Sequence, residues 1–326
     1  MSEVCRIMKQ KGIGTPVIMA IVAVIVGVVV ISGVGLYVVS KGGVENQVST
    51  TTTTIPTTTT TSTTSTTTIS TVTHNHDPIH IYSDSQFTSA NGVNGGGSGT
   101  QSDPYIIGNW IINATITNGI DIENTTSYFI IRNCLIENCG YPYSGIWLEN
   151  VVNGTLDNNI CSNNDTGIFL VSSFYDNLIN NTCSSNTWNI CLMGSCNNTL
   201  STNICLNSTN VGIYLNITSD YNTLTGNICD NNLAGIYLSG LIENPFTSYP
   251  SITSYNTLDN NTCNNNGYGI YLYYSNSNIL TNNICLNNTQ YGIYIDANSN
   301  NNTLTNNYLL GNTTPYFDAG TNNSWS

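Results

Sequence analysis

Six of the eleven cysteines recur at one repeat position: Cys161, Cys183, Cys205, Cys229, Cys263 and Cys285. Thiols in such a series could pair as disulfides, hold a soft metal or fill a core. Leu135 and Leu309 stand at the two ends of the series, so the position accepts a plain hydrophobe. Reduced, buried packing is the expected role. Cys134 and Cys139, and likewise Cys191 and Cys196, lie five residues apart off that position and are the disulfide candidates. His74, His76 and His80 make a short His-rich tract, a pattern seen both in copper or zinc sites and in linkers. An aromatic series, Trp147, Phe169, Tyr214, Tyr237, Tyr271 and Tyr294, could stack the sugars of a glycan. The same series also suits plain packing between strands.

Catalysis needs polar groups that converge. Asp121, Asp157, Asp230, Asp259 and Asp296 fall at different repeat positions, apart from Asp157 and Asp259. Those two are four repeats apart, roughly 19 Å at the spacing of stacked strands, too far for a glycosidase pair. Arg132 is the only Lys or Arg after residue 41. No acid cluster is read from the aspartates, so a non-enzyme is expected, with a polysaccharide lyase or hydrolase as the alternative. No cofactor is expected, copper and calcium being the metals to consider. The net charge of −13 repels phosphate backbones and excludes nucleic acid as a partner. Asn-x-Ser/Thr sequons, among them Asn113, Asn124, Asn153, Asn164 and Asn216, are candidate glycosylation sites.

These residues are positioned by a repeat. A tetrad of the form Gly-Ile-aromatic-Leu starts at 119, 145, 167, 189, 212, 235, 269 and 292, at intervals of 22–26 residues with one of 34. A second block, Leu-x-Asn-Asn-x-Cys, follows, as at Leu156 to Cys161 and Leu178 to Cys183. Short alternating segments separated by Asn, Ser and Gly read as strands. The period is too short for a strand–helix crossover and fits one coil of a β-solenoid. Alternation turns one Ile column, two Leu columns and the Cys column inward. An asparagine column, Asn133, Asn159, Asn181, Asn203, Asn227, Asn261, Asn283 and Asn307, is expected to form an amide ladder at a buried bend. The 34-residue interval adds a loop near Leu241 to Tyr255, with Phe246 and Tyr249 as recognition candidates.

The N-terminal third is different. Residues 12–40 carry no charge, and Arg6, Lys9 and Lys11 precede them. Length and flanks predict a transmembrane signal-anchor helix with residues 1–11 cytoplasmic. Lys11-Gly12-Ile13 also resembles a prepilin-type signal, which would make a pilin-like filament subunit. Residues 41–77 are a Ser/Thr-rich linker that cannot form a core and is expected to act as a glycan-bearing stalk.

The repeat columns resemble the NosD-type right-handed parallel β-helix family from about Pro104 to Phe317, and Gly99 to Ile107 looks like that family's opening segment. The resemblance implies an all-β right-handed parallel β-helix of about 9–10 coils, with an N-terminal cap and first coil over 78–118, repeats over 119–317 and a tail over 318–326. It also implies a surface or polysaccharide-associated protein. The expectation is a single-pass, membrane-anchored extracellular glycoprotein that binds glycans or another surface protein, on an archaeal-type cell or virus.

Overall fold

The computed structural model describes residues 74–240 and 251–326. The expected helix at 12–40, most of the linker, and Phe246 and Tyr249 lie outside them. Among the described residues no helix is long and apolar enough to cross a membrane.

The described chain is an all-β, right-handed parallel solenoid of about nine coils. Most coils give one strand to each of three sheets; past Ile228–Asp230 the third sheet continues only as isolated bridges. In one coil the strands are Ser144–Val151, Gly154–Asp157 and Ile160–Ser162. The sheets hold ten, eleven and seven strands respectively, and are called here the tetrad, leucine and cysteine sheets. Like residues stack in register: Ile146 on Ile168, Leu156 on Leu178, Cys161 on Cys183. All these side chains are fully buried. One coil buries too little apolar surface to offset the entropy of ordering it, so the stack is stable only collectively.

Two features let the chain turn so tightly. The first residue of a bend is held in the left-handed region, for example Asn158 (φ 54°) and Asn163 (φ 56°). Asparagine tolerates that region better than most residues. The tetrad glycine then brings adjacent coils into close approach. A Cβ on Gly235 would lie 2.7 Å from the carbonyl oxygen of Gly269 in the next coil, closer than any side chain permits.

At the bend between the leucine and cysteine sheets, the residue after the left-handed one (Asn158, Asn180, Thr202 or Gly226, for example) turns inward and builds the amide ladder. Asn227 is typical. Its Nδ2 donates to Leu200 O and to Asn261 Oδ1, both at 2.9 Å, and its backbone N–H donates to the same Oδ1 at 3.0 Å. Asn203 repeats the pattern onto Asn227. The bend's backbone groups, buried away from water, are thereby satisfied.

The first coil departs from the sequence expectation by one residue. Arg132 pairs with Asp157, so Asn133 stacks on Asn158, not on Asn159. Asn133 is a half-buried left-handed bend residue (φ 54°), and Cys134 occupies the ladder position, its N–H donating to Asn159 Oδ1. The same slip puts Ile136, not Leu135, over Cys161. A run of Asn misled the alignment, because two adjacent bend positions both favour that residue.

Two further ladders were not expected. One runs through Asn164, Asn186, Asn232, Asn266, Asn288 and Asn312, and the other through Asp176, Asn198, Asn222, Asn256, Asn278 and Asn302. The ends also differ from expectation. His74–Asn75 already pairs with Trp110 and Ile111, so the solenoid begins inside the stretch assigned to the linker. Phe87 stacks on Tyr105 at 4.7 Å and caps this end with an antiparallel strand, Val93–Gly95. Residues 318–326 are not a tail: Ser324–Trp325 pairs with Thr303 and Leu304.

Candidate active site

The site lies on the outer face of the tetrad sheet, beside the capped end. Three adjacent strands form it: Ile79–Ile81, Ile120–Thr125 and Ser144–Val151. Alternation buries their Ile and Leu residues in the core and turns the residues between them outward. His80 pairs with Asp121, Asp121 with Trp147, and Glu123 with Glu149. Tyr82 follows Ile81, the register partner of Ile122.

Three carboxyls in two adjacent coils thus share one face. Only one of their contacts is a firm hydrogen bond to a neighbouring amide: Asn118 Nδ2 donates to Asp121 Oδ2 at 3.0 Å. His80 Nδ1 is 3.8 Å from the same oxygen. Asp121 Oδ1, Glu149 Oε2 and His80 Nδ1 are buried with no hydrogen-bond partner. Asp121 is 7% exposed and Glu149 4%. Orphaned buried oxygens are costly, so an arrangement that keeps them has a use for them.

The electrostatics follow from this crowding. Burial pushes Asp121 up to about 6. Burial, and then the charge of Glu123, push Glu149 up to about 7, against a lowering hydrogen bond from Trp147. Glu123 is raised too, by burial and then by Asp121. Burial lowers His80, which is therefore a neutral imidazole at pH 7. Near pH 6 the cluster holds protonated and ionised carboxyls side by side, the condition for acid and base roles in one site.

The cluster corrects the expectation that no acids converge. That expectation compared aspartates alone. Aligning Gly119-Ile-Asp-Ile-Glu123 with Gly145-Ile-Trp-Leu-Glu149 puts the two glutamates at one repeat position, a signal already present in the sequence.

The other expected residues are placed as follows. The aromatic series packs on itself: Tyr214–Tyr237 stacked at 5.1 Å, Tyr237–Tyr271 stacked at 4.6 Å, and Tyr271–Tyr294 and Trp147–Phe169 edge-on, each at 4.8 Å. Trp147, Phe169 and Tyr214 are buried. Cys191 interrupts the series, and Trp188 fills the gap against Tyr214. The histidines separate: His74 and His76 pack on Trp110, while His80 sits at Asp121. They do not form one metal site, because they ride on strands of two different sheets. Cys134, Cys139 and Cys191 are free, so neither Cys134–Cys139 nor Cys191–Cys196 is bonded. Cys134 and Cys139 serve successive bends, each under the next coil's asparagine, and cannot meet. The six column cysteines are also free and fully buried. Of the sequons, Asn113 and Asn124 are exposed and Asn153 half-exposed. Asn164 and Asn216 are buried and hydrogen-bonded, which removes them as glycosylation sites.

A parallel β-helix carrying a carboxyl cluster on its broadest sheet defines the class. The chain belongs to the NosD family, described as periplasmic copper-binding protein, whose profile matches residues 100–249 and 248–326. No curated protein matches. The fold is similar to the A-module of mannuronan C-5 epimerase AlgE4 from Azotobacter vinelandii: 16% identity, TM-score 0.52, 68% of this chain and 64% of that one. The chain therefore spans under two thirds of that module. It is also similar to the periplasmic alginate epimerase AlgG (16% identity, TM-score 0.51, 68% of each chain). A third is tailspike protein 2 of the Escherichia coli bacteriophage CAB120 (12% identity, TM-score 0.53, 74% of this chain and 34% of that one).

Two consequences follow. The expectation of a non-enzyme is overturned, since β-helices similar to this one are carbohydrate-active enzymes by name. Copper, which the family description implies, does not fit the described residues. No three or more of His, Cys, Asp and Glu among them are placed to hold a metal ion.

Proposed function

We propose that this protein is a carbohydrate-active enzyme that cleaves a polysaccharide by acid–base chemistry at Asp121, Glu123 and Glu149. The observation that carries the reading is the pair of buried carboxyl oxygens, on Asp121 and Glu149, with no partner in the protein.

Glu149 has the higher pKa of the two acids and is the general acid. It protonates the glycosidic oxygen, and the leaving sugar departs with that proton. Glu123, its register partner, attacks the anomeric carbon and forms a glycosyl ester. Stacked strands are about 4.8 Å apart, near the roughly 5–5.5 Å between carboxyls in retaining glycosidases. Glu149, now ionised, takes a proton from water, which hydrolyses the ester. Burial, and after it the charge of Glu123, keeps the pKa of Glu149 high, with a smaller push from Asp121. Residues 12–40 anchor the chain in a membrane, and the Ser/Thr-rich stretch carries the β-helix outside.

The test is product analysis. The full chain, incubated with a polysaccharide panel at pH 6, should release new reducing ends, and Glu149→Gln should release none. Equal release by the variant would sink the assignment.

A further inference from the structure

The three carboxyls, the sheet around them and the one Lys or Arg after residue 41 bear on which polysaccharide the site can accept. We infer that the substrate is an uncharged glycan, in contrast to the alginate and mannuronan named for the similar epimerases. This inference rests on the reading that the carboxyl cluster is the active site.

Recognition of an anionic sugar needs a cation or an array of free N–H donors at the sugar carboxylate. Arg132 is the only Lys or Arg after residue 41. It lies in the leucine sheet, paired with Asp157 and Gly108, and so on a different sheet from Asp121, Glu123 and Glu149. His80 is the one basic group in the cluster, and burial disfavours its charged form. An acidic sugar would thus face carboxylates with nothing to balance it. A cation bridge does not rescue it, since no three metal-binding side chains converge among the described residues.

The accessible part of the cluster fits hydroxyls instead. Glu123, half-buried on the same face, is an acceptor when ionised, and a neutral sugar offers O–H donors to it. Farther along the same sheet face, Tyr237, Tyr271 and Tyr294 are half-buried, so part of each ring remains accessible. Aromatic edges and hydroxyls suit an uncharged, amphipathic chain.

The test compares neutral glycans (β-glucan, galactomannan, xylan) with anionic ones (alginate, polygalacturonate), using the full chain at pH 6 in EDTA or in calcium. Retardation in affinity electrophoresis reads binding, and new reducing ends read cleavage. The expected result is about tenfold or greater preference for a neutral glycan in binding, unchanged by calcium. Preference for an anionic glycan, with or without calcium, overturns the inference while leaving the acid–base reading intact if Glu149→Gln abolishes its cleavage. Neutral binding whose cleavage is absent, or is unaffected by Glu149→Gln, upholds the substrate class and overturns the catalytic reading. Absence of binding and cleavage on every glycan overturns both.

Discussion

Glu149 and Asp296 stand in one outward column of the tetrad sheet, near its two ends, and they are treated in opposite ways. Asp296 Oδ1 accepts from Tyr274 N–H at 3.1 Å and Ser299 Oγ at 2.5 Å, and Oδ2 accepts from Asn298 at 3.1 Å. Glu149 keeps Oε2 buried and unmet, beside Glu123 one coil away. The acid of the C-terminal end is tied into the structure, whereas that of the N-terminal end is held in reserve. In a solenoid, repetition secures stability, so departures from it are where function is to be sought.

The largest expected effect separates these two acids. Glu149→Gln should lower turnover by roughly 10²–10⁴, the usual worth of a general acid, with the melting temperature kept or raised. Asp296→Ala should leave turnover within about twofold and lower stability by about 1–3 kcal/mol, because three donors lose their acceptor. Initial rates and thermal melts on both variants measure this, and a reversed pattern would break the comparison.

Next in size is the ladder. Asn227→Ala removes the acceptor of Asn203 and leaves Leu200 O without its donor. A cost of roughly 3–5 kcal/mol is expected in denaturant melts. Asn180→Gly, at an exposed left-handed bend (φ 55°), should cost under about 0.5 kcal/mol, since glycine adopts that conformation freely. Equal costs would mean that the inner column is not what holds the bends.

The same contrast explains what was legible beforehand. The Ile, Leu and Cys columns could be read because each recurs on one chemical type, coil after coil. The Asn159 to Asn307 ladder was legible for the same reason, and its first member was misplaced because Asn133 and Cys134 exchange the expected identities. The second ladder is interrupted by Ser208 and the third opens on Asp176, so neither presents an unbroken run of Asn. The carboxyl cluster was passed over because only aspartates were compared: an Asp of one column and two Glu of the next share a face, and the two Glu already align in the sequence. That the aromatic rings stack on each other, as Tyr237 does on Tyr271, depends on rotamers that repeat spacing does not fix.

Stability against pH sharpens the comparison further. Asp121 and Glu149 bind protons more tightly in the folded chain, at about 6 and about 7, than in the unfolded one. Their contribution is therefore full below about pH 4 and is lost as pH rises through those values, by on the order of 3 kcal/mol for each. Melts of the wild type between pH 4 and 8 should fall with rising pH, and Glu149→Gln should flatten the upper part of that fall. An unchanged slope would mean that Glu149 is ionised and satisfied in the folded state.

The smallest effect concerns Asp176, an acid inside an asparagine ladder. Gly154 N–H donates to its Oδ1 at 2.7 Å, and its own N–H donates to Asn198 Oδ1 at 2.9 Å. Its Oδ2 has no partner, and burial pushes the carboxyl well above its usual range. In the next two coils the corresponding atom is an amide nitrogen, which donates to Ser173 O at 3.1 Å from Asn198 and to Ser195 O at 3.0 Å from Asn222. Asp176→Asn supplies that donor without changing shape. It should raise stability at pH 7 by about 1–2 kcal/mol and change little at pH 4, where the acid is already protonated. Paired melts at the two pH values measure the difference. A less stable variant at pH 7 would show that Asp176 is held as a carboxylate for a purpose, which would move it from the ladder's account to the site's.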